Sequence, residues 1–416
     1  LRRFMGEMIK PKLAAAPQPD YASATFLKDH VTDILNFYRP IAFDAQGGFF
    51  HYYQDDGTVY NRTHRHLVSA TRFVFNWVQA WQHTQDEAYR QWAQHALAEL
   101  DERFKNAHGD YVWTLSDRRP EDGRIMAYGQ AFVLLAKSWA LRADLCNASD
   151  VRAVFDRMNA VFYDSQQGAY ADECSPDGVL NSYRGQNANM HMCEACLAAF
   201  EATEDPIYLD RAITLAKTFT QRLVKQPTAA AAGQCVGQIW EHYQVDWQPD
   251  WHYNKDNPGA IFKPWGYQTG HQTEWSKLLM QIHHHVPDSQ WLTTARHLHD
   301  AAFSFGWDRE HGGLVYGYAP DGTVCDSDKY FWVQAESFAS AWRLWRATND
   351  SRYLQQYQDT WDWAWRHLVD HTHGAWYRIV DAHGQKLENT KSPAGKVDYH
   401  TMGACWDVLR VGGLQA

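Results

Sequence analysis

A helical segment followed by an aromatic, Gly-containing hairpin recurs six times in this chain of 416 residues, and this repeat constrains the fold more than any other feature. The hairpin segments alternate apolar and aromatic residues around a D-G or H-G turn, which is typical of short β-hairpins. Repetition of this kind predicts a closed or stacked array of one structural unit. The predicted hairpins lie at 44–60, 106–124, 164–180, 233–250 (a longer, diverged copy), 308–326 and 370–387.

Helical periodicity predicts twelve helices between the hairpins. Helices that precede a hairpin are the more polar ones, and helices that follow a hairpin are rich in apolar and small residues. An outer and an inner ring would produce this difference. We therefore predict an all-α fold, an (α/α)6 barrel with hairpins at one end, with an open solenoid as the alternative. The predicted helices span 26–38, 63–82, 86–105, 124–144, 149–163, 187–203, 206–226, 267–285, 289–305, 329–348, 351–369 and 398–411.

Composition restricts the class of protein. The net charge of −10 and the lack of a basic stripe argue against a nucleic-acid partner. No apolar run is long enough for a membrane span, and seven scattered cysteines are typical of a reduced, cytoplasmic protein. We expect a flexible N-terminal arm at 1–20, a single catalytic barrel at 21–416, and a monomer or homodimer.

Unusual polar residues gather near the starts of the helices that follow hairpins. In a barrel of parallel inner helices, these starts meet at one end and enclose one cavity. A lone His on an apolar helix is more often a hydrogen-bonded core residue, but recurrence on six helices favours a site. The set comprises His64, Arg65, His66 and Arg72, then Tyr128 and Gln130, then Asn187, Asn189 and His191, then His271 and Glu274, then Trp332, Gln334 and Glu336, and finally Asp398, Tyr399 and His400.

These residue types favour proton transfer. The chain has no P-loop, G-x-S-x-G or H-E-x-x-H motif. Histidine takes and returns a proton near pH 7, and the positive end of a helix dipole favours its neutral form. An arginine can stabilise an oxyanion, so the set suits proton abstraction beside a carbonyl through an enediolate. A zinc or manganese site is the less favoured alternative, and we expect no cofactor.

Five stretches carry a family resemblance. In chain order they are HLVSATR, YRGQNANMH, YNKDNP, GHQTEW and VDYH. Together they resemble the N-acylglucosamine 2-epimerase superfamily and, within it, the bacterial aldose–ketose isomerases that act on mannose and related sugars. The resemblance covers about residues 25 to 410. It implies an (α/α)6 barrel that isomerises or epimerises a monosaccharide without a cofactor.

The resemblance also implies residue roles. His400 would move the proton between C1 and C2 through a cis-enediolate. His271 would open the pyranose ring, and Glu274 would orient His271 across one helical turn. Arg72 would bind the oxygen that becomes charged. The other implied substrate contacts are His191, Asn187, Trp332, Glu336, Glu241 and Tyr128.

The leading hypothesis is an isomerase that interconverts D-mannose and D-fructose, with D-lyxose and D-talose as further candidate substrates. A 2-epimerase acting on mannose, cellobiose or N-acylglucosamine would share the enediolate and differ in where the proton returns. An (α/α)6 glycoside hydrolase would need two opposed carboxylates, for which Glu274, Glu336 and Asp398 are candidates. A sugar-binding protein without activity would need the aromatic residues but not the histidines.

Overall fold

The computed structural model describes residues 17–224 and 235–416, and within these ranges the chain forms twelve α-helices. Residues 1–16 of the expected arm, 225–226 of the predicted seventh helix and 233–234 of the diverged hairpin lie outside the described residues. The helices are α1 (Ala24–Tyr38), α2 (Leu67–Thr84), α3 (Glu87–Glu99), α4 (Ala127–Arg142), α5 (Ala148–Val161), α6 (Gln186–Thr203), α7 (Pro206–Lys217), α8 (Thr269–His285), α9 (Ser289–Gly306), α10 (Phe331–Thr348), α11 (Ser351–His367) and α12 (Tyr399–Val411).

The even-numbered helices form an inner ring, and the odd-numbered helices form an outer ring. Each inner helix packs against its two inner neighbours, and α12 packs against α2 to complete the ring. Every residue of α2 from 67 to 80 is buried, whereas the outer helices bury one face. The predicted (α/α)6 barrel is confirmed, and the contact between α12 and α2 excludes the open solenoid.

Short antiparallel strands connect each repeat to the next one by backbone hydrogen bonds. The strand before each inner helix pairs with the hairpin of the following repeat, as in β3 with β4 and β12 with β13. The final strand, β17, pairs with β1 and joins the last repeat to the first. The strands are β1 (Tyr52–Gln54), β2 (Val59–Asn61), β3 (His64–His66), β4 (Thr114–Ser116), β5 (Arg119–Asp122), β6 (Ile125–Met126), β7 (Tyr163–Asp164), β8 (Ala169–Tyr170), β9 (Glu173–Cys174), β10 (Arg184–Gly185), β11 (His242–Tyr243), β12 (Tyr267–Gln268), β13 (Gly317–Tyr318), β14 (Val324–Asp326), β15 (Lys329–Tyr330), β16 (Ile379–Val380) and β17 (Thr390–Ser392).

Two predicted details need correction. The second helix was expected to begin with His64, Arg65 and His66, but these residues form β3 because their backbone pairs with β4. His66 instead caps α2, where its Nδ1 accepts a hydrogen bond from the N–H of Val68 at 3.2 Å. In the second hairpin segment the expected H-G turn is present at 108–109, but β4 and β5 are joined by a turn at 117–118, where both φ angles are positive, and not at the D-G pair.

Short connections from inner to outer helices fix the pairing of the two rings. In three repeats the inner helix ends at a left-handed residue, and the next residue is an Asp that caps the outer helix. The Asp side chain accepts a backbone N–H of the first turn, which satisfies an otherwise unpaired donor. The three pairs are Gln85–Asp86, Glu204–Asp205 and Asn349–Asp350.

A repeated carboxamide explains part of the polar pattern in the sequence. On four inner helices a Gln or Asn side chain forms hydrogen bonds with both the backbone N–H and the C=O of one residue within a hairpin segment. The pairs are Gln130 with Tyr111, Asn189 with Tyr170, Gln272 with Ile239 and Gln334 with Leu314, all at 2.7–3.0 Å. These amides satisfy buried backbone groups, so Gln130, Asn189 and Gln334 have structural roles.

In the described part of the chain, no helix combines the length and the apolar character that crossing a membrane requires.

We expect the substitution Gln334→Leu to lower the free energy of unfolding by about 2 to 4 kcal/mol, because the N–H and C=O of Leu314 lose their partner while buried. Urea unfolding followed by circular dichroism measures the change. Gln290→Ala, on the exposed side of α9, serves as the control and should have little effect. Equal stability of Gln334→Leu and wild type would contradict the structural role of this amide.

Candidate active site

One cavity of about 760 Å³, measured out to its mouth, lies at the end of the barrel where the inner helices begin. All six inner helices contribute to its wall. Eight residues that the sequence predicted as site residues line it, namely Arg72, Tyr128, Asn187, His191, His271, Glu274, Trp332 and His400. The two remaining predictions, Glu241 and Glu336, lie directly behind His271 and His400.

The ring of Trp332 lies next to both predicted catalytic histidines. Its ring lies 5.1 Å from the ring of His271 and 5.7 Å from the ring of His400, measured between centroids. The indole reaches this position because Gly270 has no side chain: a Cβ there would lie 2.3 Å from Cζ3 of Trp332. Both imidazoles therefore border the same small region of the cavity.

His271 is held by Glu241. The distance from Nδ1 of His271 to Oε1 of Glu241 is 2.6 Å. The amide of Gln186 also donates to Glu241, at 3.0 and 3.1 Å, and the indole N–H of Trp275 fixes this amide by donating to its oxygen at 2.7 Å. The expectation that Glu274 orients His271 needs correction, because the carboxylate at the ring is Glu241. A proton on Nδ1 leaves Nε2 of His271 as the basic nitrogen.

His400 is held in the same way by Glu336, at 2.7 Å from Nδ1 to Oε1. The other oxygen of Glu336 lies 2.5 Å from the ammonium of Lys277. Burial opposes the charge on Glu336, but Lys277 and His400 outweigh it and lower the pKa of Glu336 to about 2. Burial, opposed by the hydrogen bond that His400 donates to Glu336, lowers the pKa of His400 to about 4. At neutral pH, His400 is therefore a neutral base with its proton on Nδ1.

His191 forms a third pair with a carboxylate. Its Nδ1 lies 2.8 Å from Oε2 of Glu194, and the hydroxyl of Tyr399 donates to the other oxygen of Glu194. Burial lowers the pKa of His191. At Glu194 burial opposes the charge, but His191, Lys277 and the hydroxyl of Tyr399 together outweigh burial and lower the pKa of Glu194. Glu194 is therefore an ionised carboxylate beneath the cavity floor.

Glu274 differs from the other acidic groups of the site. Burial and the neighbouring charge of Glu336 raise the pKa of Glu274 well above its ordinary value of 4.5. One of its oxygens, Oε1, is buried without a hydrogen-bond partner among the described residues, and the same holds for Oδ1 of Asn187. Buried polar atoms in native proteins are almost always paired, so these atoms are suited to a polar ligand. Glu274 in its acid form can donate a hydrogen bond.

Arg72 supplies a fixed positive charge to the cavity wall. Its guanidinium lies between the rings of Phe132 and Tyr399, 4.4 Å from each centroid. It also donates to the carbonyl of Gly395 and, at 3.3 Å, to the hydroxyl of Tyr128. Stacking on two ring faces and these hydrogen bonds hold the planar cation in one orientation.

A left-handed turn places His400. Val397 and Asp398, directly before α12, have φ angles of 31° and 51°. Such angles are unfavourable for a β-branched residue, and the buried carboxylate of Asp398 holds the turn by bonding the hydroxyl of Tyr38 at 2.5 Å and the ammonium of Lys396 at 2.6 Å. Strained backbone of this type persists where surrounding contacts determine it, often at active sites.

The sequence prediction missed three residues that shape the site: Gln186, Glu194 and Lys277. Two signals in the sequence could have found them. Glu194 follows His191 by three residues, which repeats the spacing of His271 and Glu274. Lys277 is a charge on the buried face of an inner helix, where a charge requires a partner.

Among the described residues, two groups of side chains come close enough to ligate a metal ion: His191, Glu194 and Glu274, and Glu274, Glu336 and His400, each with ligand atoms within 4.8 Å of one another. Two features of these groups compete with a metal ion. Glu336 already bonds an ammonium, and burial raises the pKa of Glu274. A metal ion prefers deprotonated ligands and would consume the free bases.

Comparison with known proteins agrees with this geometry. The family model described as N-acylglucosamine 2-epimerase matches residues 48–404. A D-mannose isomerase of Marinomonas mediterranea is 49% identical over 394 residues, which cover 94% of this chain and 98% of that protein. The crystal structure of a D-mannose isomerase, 47% identical, superimposes with a TM-score of 0.90 over 95% of this chain and 100% of its own. A cellobiose 2-epimerase from Bacillus thermoamylovorans, 19% identical, shares the fold with a TM-score of 0.79 over 93% of this chain and 99% of its own.

We expect Glu274→Gln to become more stable relative to wild type as the pH rises above 4.5. Folded wild type keeps the Glu274 proton at pH values at which the unfolded chain releases it, so this group makes unfolding easier as the pH rises. Glutamine mimics the protonated acid and removes that dependence. Urea unfolding at pH 5 and pH 8 measures the difference, with exposed Glu310→Gln as the control. A variant that loses stability relative to wild type at pH 8 would show that Glu274 is ionised.

Proposed function

Because this chain belongs to the N-acylglucosamine 2-epimerase family, we propose that it is a cofactor-independent aldose–ketose isomerase that interconverts D-mannose and D-fructose. One observation carries the proposal: two buried histidines each direct Nδ1 to a glutamate and both flank the Trp332 ring. This arrangement offers two basic nitrogens to a single monosaccharide.

In the proposed first step, His271 opens the pyranose ring. Nε2 of His271 takes the proton of the anomeric hydroxyl and returns it to the ring oxygen as the C1–O5 bond breaks. The carboxylate of Glu241 stabilises the imidazolium that forms. The open-chain aldehyde then lies against Trp332, whose flat apolar face suits the C–H side of a sugar.

In the proposed second step, Nε2 of His400 removes the proton from C2. The electrons of the C2–H bond form the C1–C2 double bond, and negative charge develops on O1. Arg72 and the acid form of Glu274 stabilise this charge by donating hydrogen bonds. His400 returns its proton to C1, and the proton on O2 moves to O1, which leaves the ketone at C2. The reverse sequence converts the ketose into the aldose.

We also propose that the reaction is independent of metal and that the protein is cytoplasmic. The ion pair between Lys277 and Glu336 and the protonation of Glu274 support metal independence. The seven cysteines are all unpaired in the structure, which supports a reducing compartment. A chelator should therefore leave activity unchanged.

Product analysis in deuterium oxide tests the function directly. Chelator-treated protein is incubated with D-mannose, and the sugars are separated and examined by NMR. We expect D-fructose, with any solvent deuterium at C1. Glucose with deuterium at C2 would indicate a 2-epimerase. In a parallel incubation with a disaccharide, release of monosaccharide would indicate a hydrolase. Mannose recovered unchanged would overturn the proposal.

We expect His400→Gln to reduce kcat by about 10³-fold or more, because general acid–base catalysis contributes on this scale, while sugar binding persists. Steady-state kinetics gives kcat, and calorimetric titration with a linear sugar alcohol gives affinity. His284→Gln, an exposed change at the end of α8, is the control. A His400→Gln enzyme with near wild-type kcat would remove His400 from the mechanism.

We expect Gly270→Ala to raise KM about tenfold, because the added methyl displaces the Trp332 ring at a cost of about 1 to 3 kcal/mol. The control is Gly403→Ala on α12, whose added Cβ would lie 3.4 Å from the ring of Phe75 and therefore fits. Kinetics with mannose measures both variants. Unchanged KM in Gly270→Ala would mean that the position of Trp332 does not govern sugar binding.

A further inference from the structure

The carboxylates that hold the two catalytic histidines differ in the group behind them. Glu241, behind His271, is backed by the neutral amide of Gln186. Glu336, behind His400, is backed by the ammonium of Lys277 at 2.5 Å. Two otherwise similar pairs therefore differ by one positive charge.

Lys277 occupies the barrel axis, one helical turn beyond Glu274 on α8. Its side chain is 13% exposed. It lines a second cavity at the opposite end of the barrel, which the later parts of the inner helices enclose. Four acidic side chains from four inner helices raise the pKa of Lys277, namely Glu336, Asp407, Glu194 and Glu274. Asp407 already pairs with Arg343 and Arg410, and Glu194 with His191.

We propose that Lys277 is a positioning residue for His400, which acts through Glu336: its ammonium keeps Glu336 ionised, so that His400 holds its proton on Nδ1 and presents an unprotonated Nε2 at neutral pH. This inference rests on the proposed role of His400 as the base that acts at C2. It assigns a function in the reaction to a residue that does not line the sugar cavity.

The reason lies in where a proton goes when the ammonium is removed. Without Lys277, the buried charge of Glu336 is uncompensated, and the pair binds an additional proton. If the proton stays on Glu336, the acid donates to Nδ1 of His400, and the ring must carry its own proton on Nε2. If the proton moves to His400, both ring nitrogens are protonated. In either case Nε2 has lost its lone pair, and the base is blocked.

The same reasoning separates the roles of the two histidines. Glu241 has a neutral partner, so its charge remains available to stabilise an imidazolium at His271, which must accept and return a proton during ring opening. Glu336 shares its charge with Lys277 and stabilises an imidazolium less, which favours the neutral base at His400. The lowered pKa values of Glu336 and His400 agree with this division.

Several other charged groups surround His400, and none of them is substituted in this test. Arg72 on α2 and His191 on α6 oppose its protonation, and Glu336 on α10 favours it. Glu274 on α8 lies within 4.8 Å of the same ligand atoms in its acid form. A change at Lys277 removes one positive charge. The same charge also lowers the pKa values of Glu194, Glu274 and Asp407, so the route through Glu336 needs a separate test.

The first experiment reads the protonation of His400 without using activity. Protein labelled with ¹⁵N in its histidines is titrated by NMR, and the His400 signals are assigned by their loss in His400→Gln. In wild type we expect Nδ1 protonated and Nε2 unprotonated at pH 7. In Lys277→Met and Lys277→Gln we expect Nε2 to be protonated at pH 7 and to lose its proton only above pH 7, about three pH units or more above the wild-type pKa of about 4. A wild-type ring with the proton on Nε2, or variants with an unchanged titration, would overturn the inference.

Kinetics supplies the second readout. In Lys277→Met the acid limb of kcat/KM against pH should move upward by about three pH units, to above pH 7, with recovery of kcat at high pH. Lys277→Arg keeps the charge and should restore most of the wild-type profile. The matched control is Lys137→Met, because Lys137 is also a buried lysine on an inner helix, paired with Asp101 away from the cavity. A uniform loss of activity at every pH, or a similar shift in Lys137→Met, would reduce Lys277 to a structural role.

A double-variant cycle tests the route through Glu336. In a Glu336→Gln background, Lys277→Met should no longer shift the His400 titration, because the carboxylate that transmits the effect is absent. An equal shift in both backgrounds would show that Lys277 acts by another route. These NMR outcomes remain interpretable if wild type fails to isomerise any sugar, so failure of the proposed function and failure of this inference are distinguishable.

Discussion

Three glutamates that approach one another inside the barrel determine how the site is built, because removing their charge from water is costly. Glu274 and Glu336 are buried, Glu194 is partly buried, and the three come from adjacent inner helices. Burying an unpaired carboxylate would cost several kcal/mol. The structure meets this cost in three ways: a histidine and a tyrosine hydroxyl at Glu194, a retained proton at Glu274, and an ammonium with a histidine at Glu336. In each case the contacts that stabilise the glutamate also hold a group that faces the cavity. The same interactions therefore stabilise the core and set the charges of the site.

The fold was largely predictable because its signals are local and repeated. Hairpin turns and the contrast between polar and apolar helices gave the double ring, and recurrence at helix starts gave eight of the cavity-lining residues. Two features escaped prediction because they depend on spatial neighbours. Two-residue strands such as β6 and β15 exist only through pairing with a distant hairpin, so the predicted helices began too early. The partner of His271 comes from a separate loop, and no spacing along α8 could distinguish Glu241 from Glu274.

Polar residues recur at the starts of the inner helices for two different reasons, and the sequence alone does not distinguish them. Polar residues at the starts of inner helices include residues that line the cavity and residues that form hydrogen bonds to the protein backbone. Gln334 and Trp332 are two residues apart, yet the first bonds Leu314 and the second borders the cavity. The difference follows from helix geometry, since residues two positions apart face directions about 200° apart. The side of the helix on which a residue lies, relative to the centre of the ring, distinguishes residues that line the cavity from residues that bond the backbone.

The pairing of β17 with β1 has a consequence for how this molecule is made. Tyr53 pairs with Ser392, so the contact that closes the ring joins segments from opposite ends of the chain. Contacts between such distant segments form late, because a large loss of chain entropy precedes them. During synthesis the first inner helices emerge with their apolar faces uncovered, and His400 on α12 emerges after the other five inner helices. The cavity is therefore complete only when α12 has joined the ring.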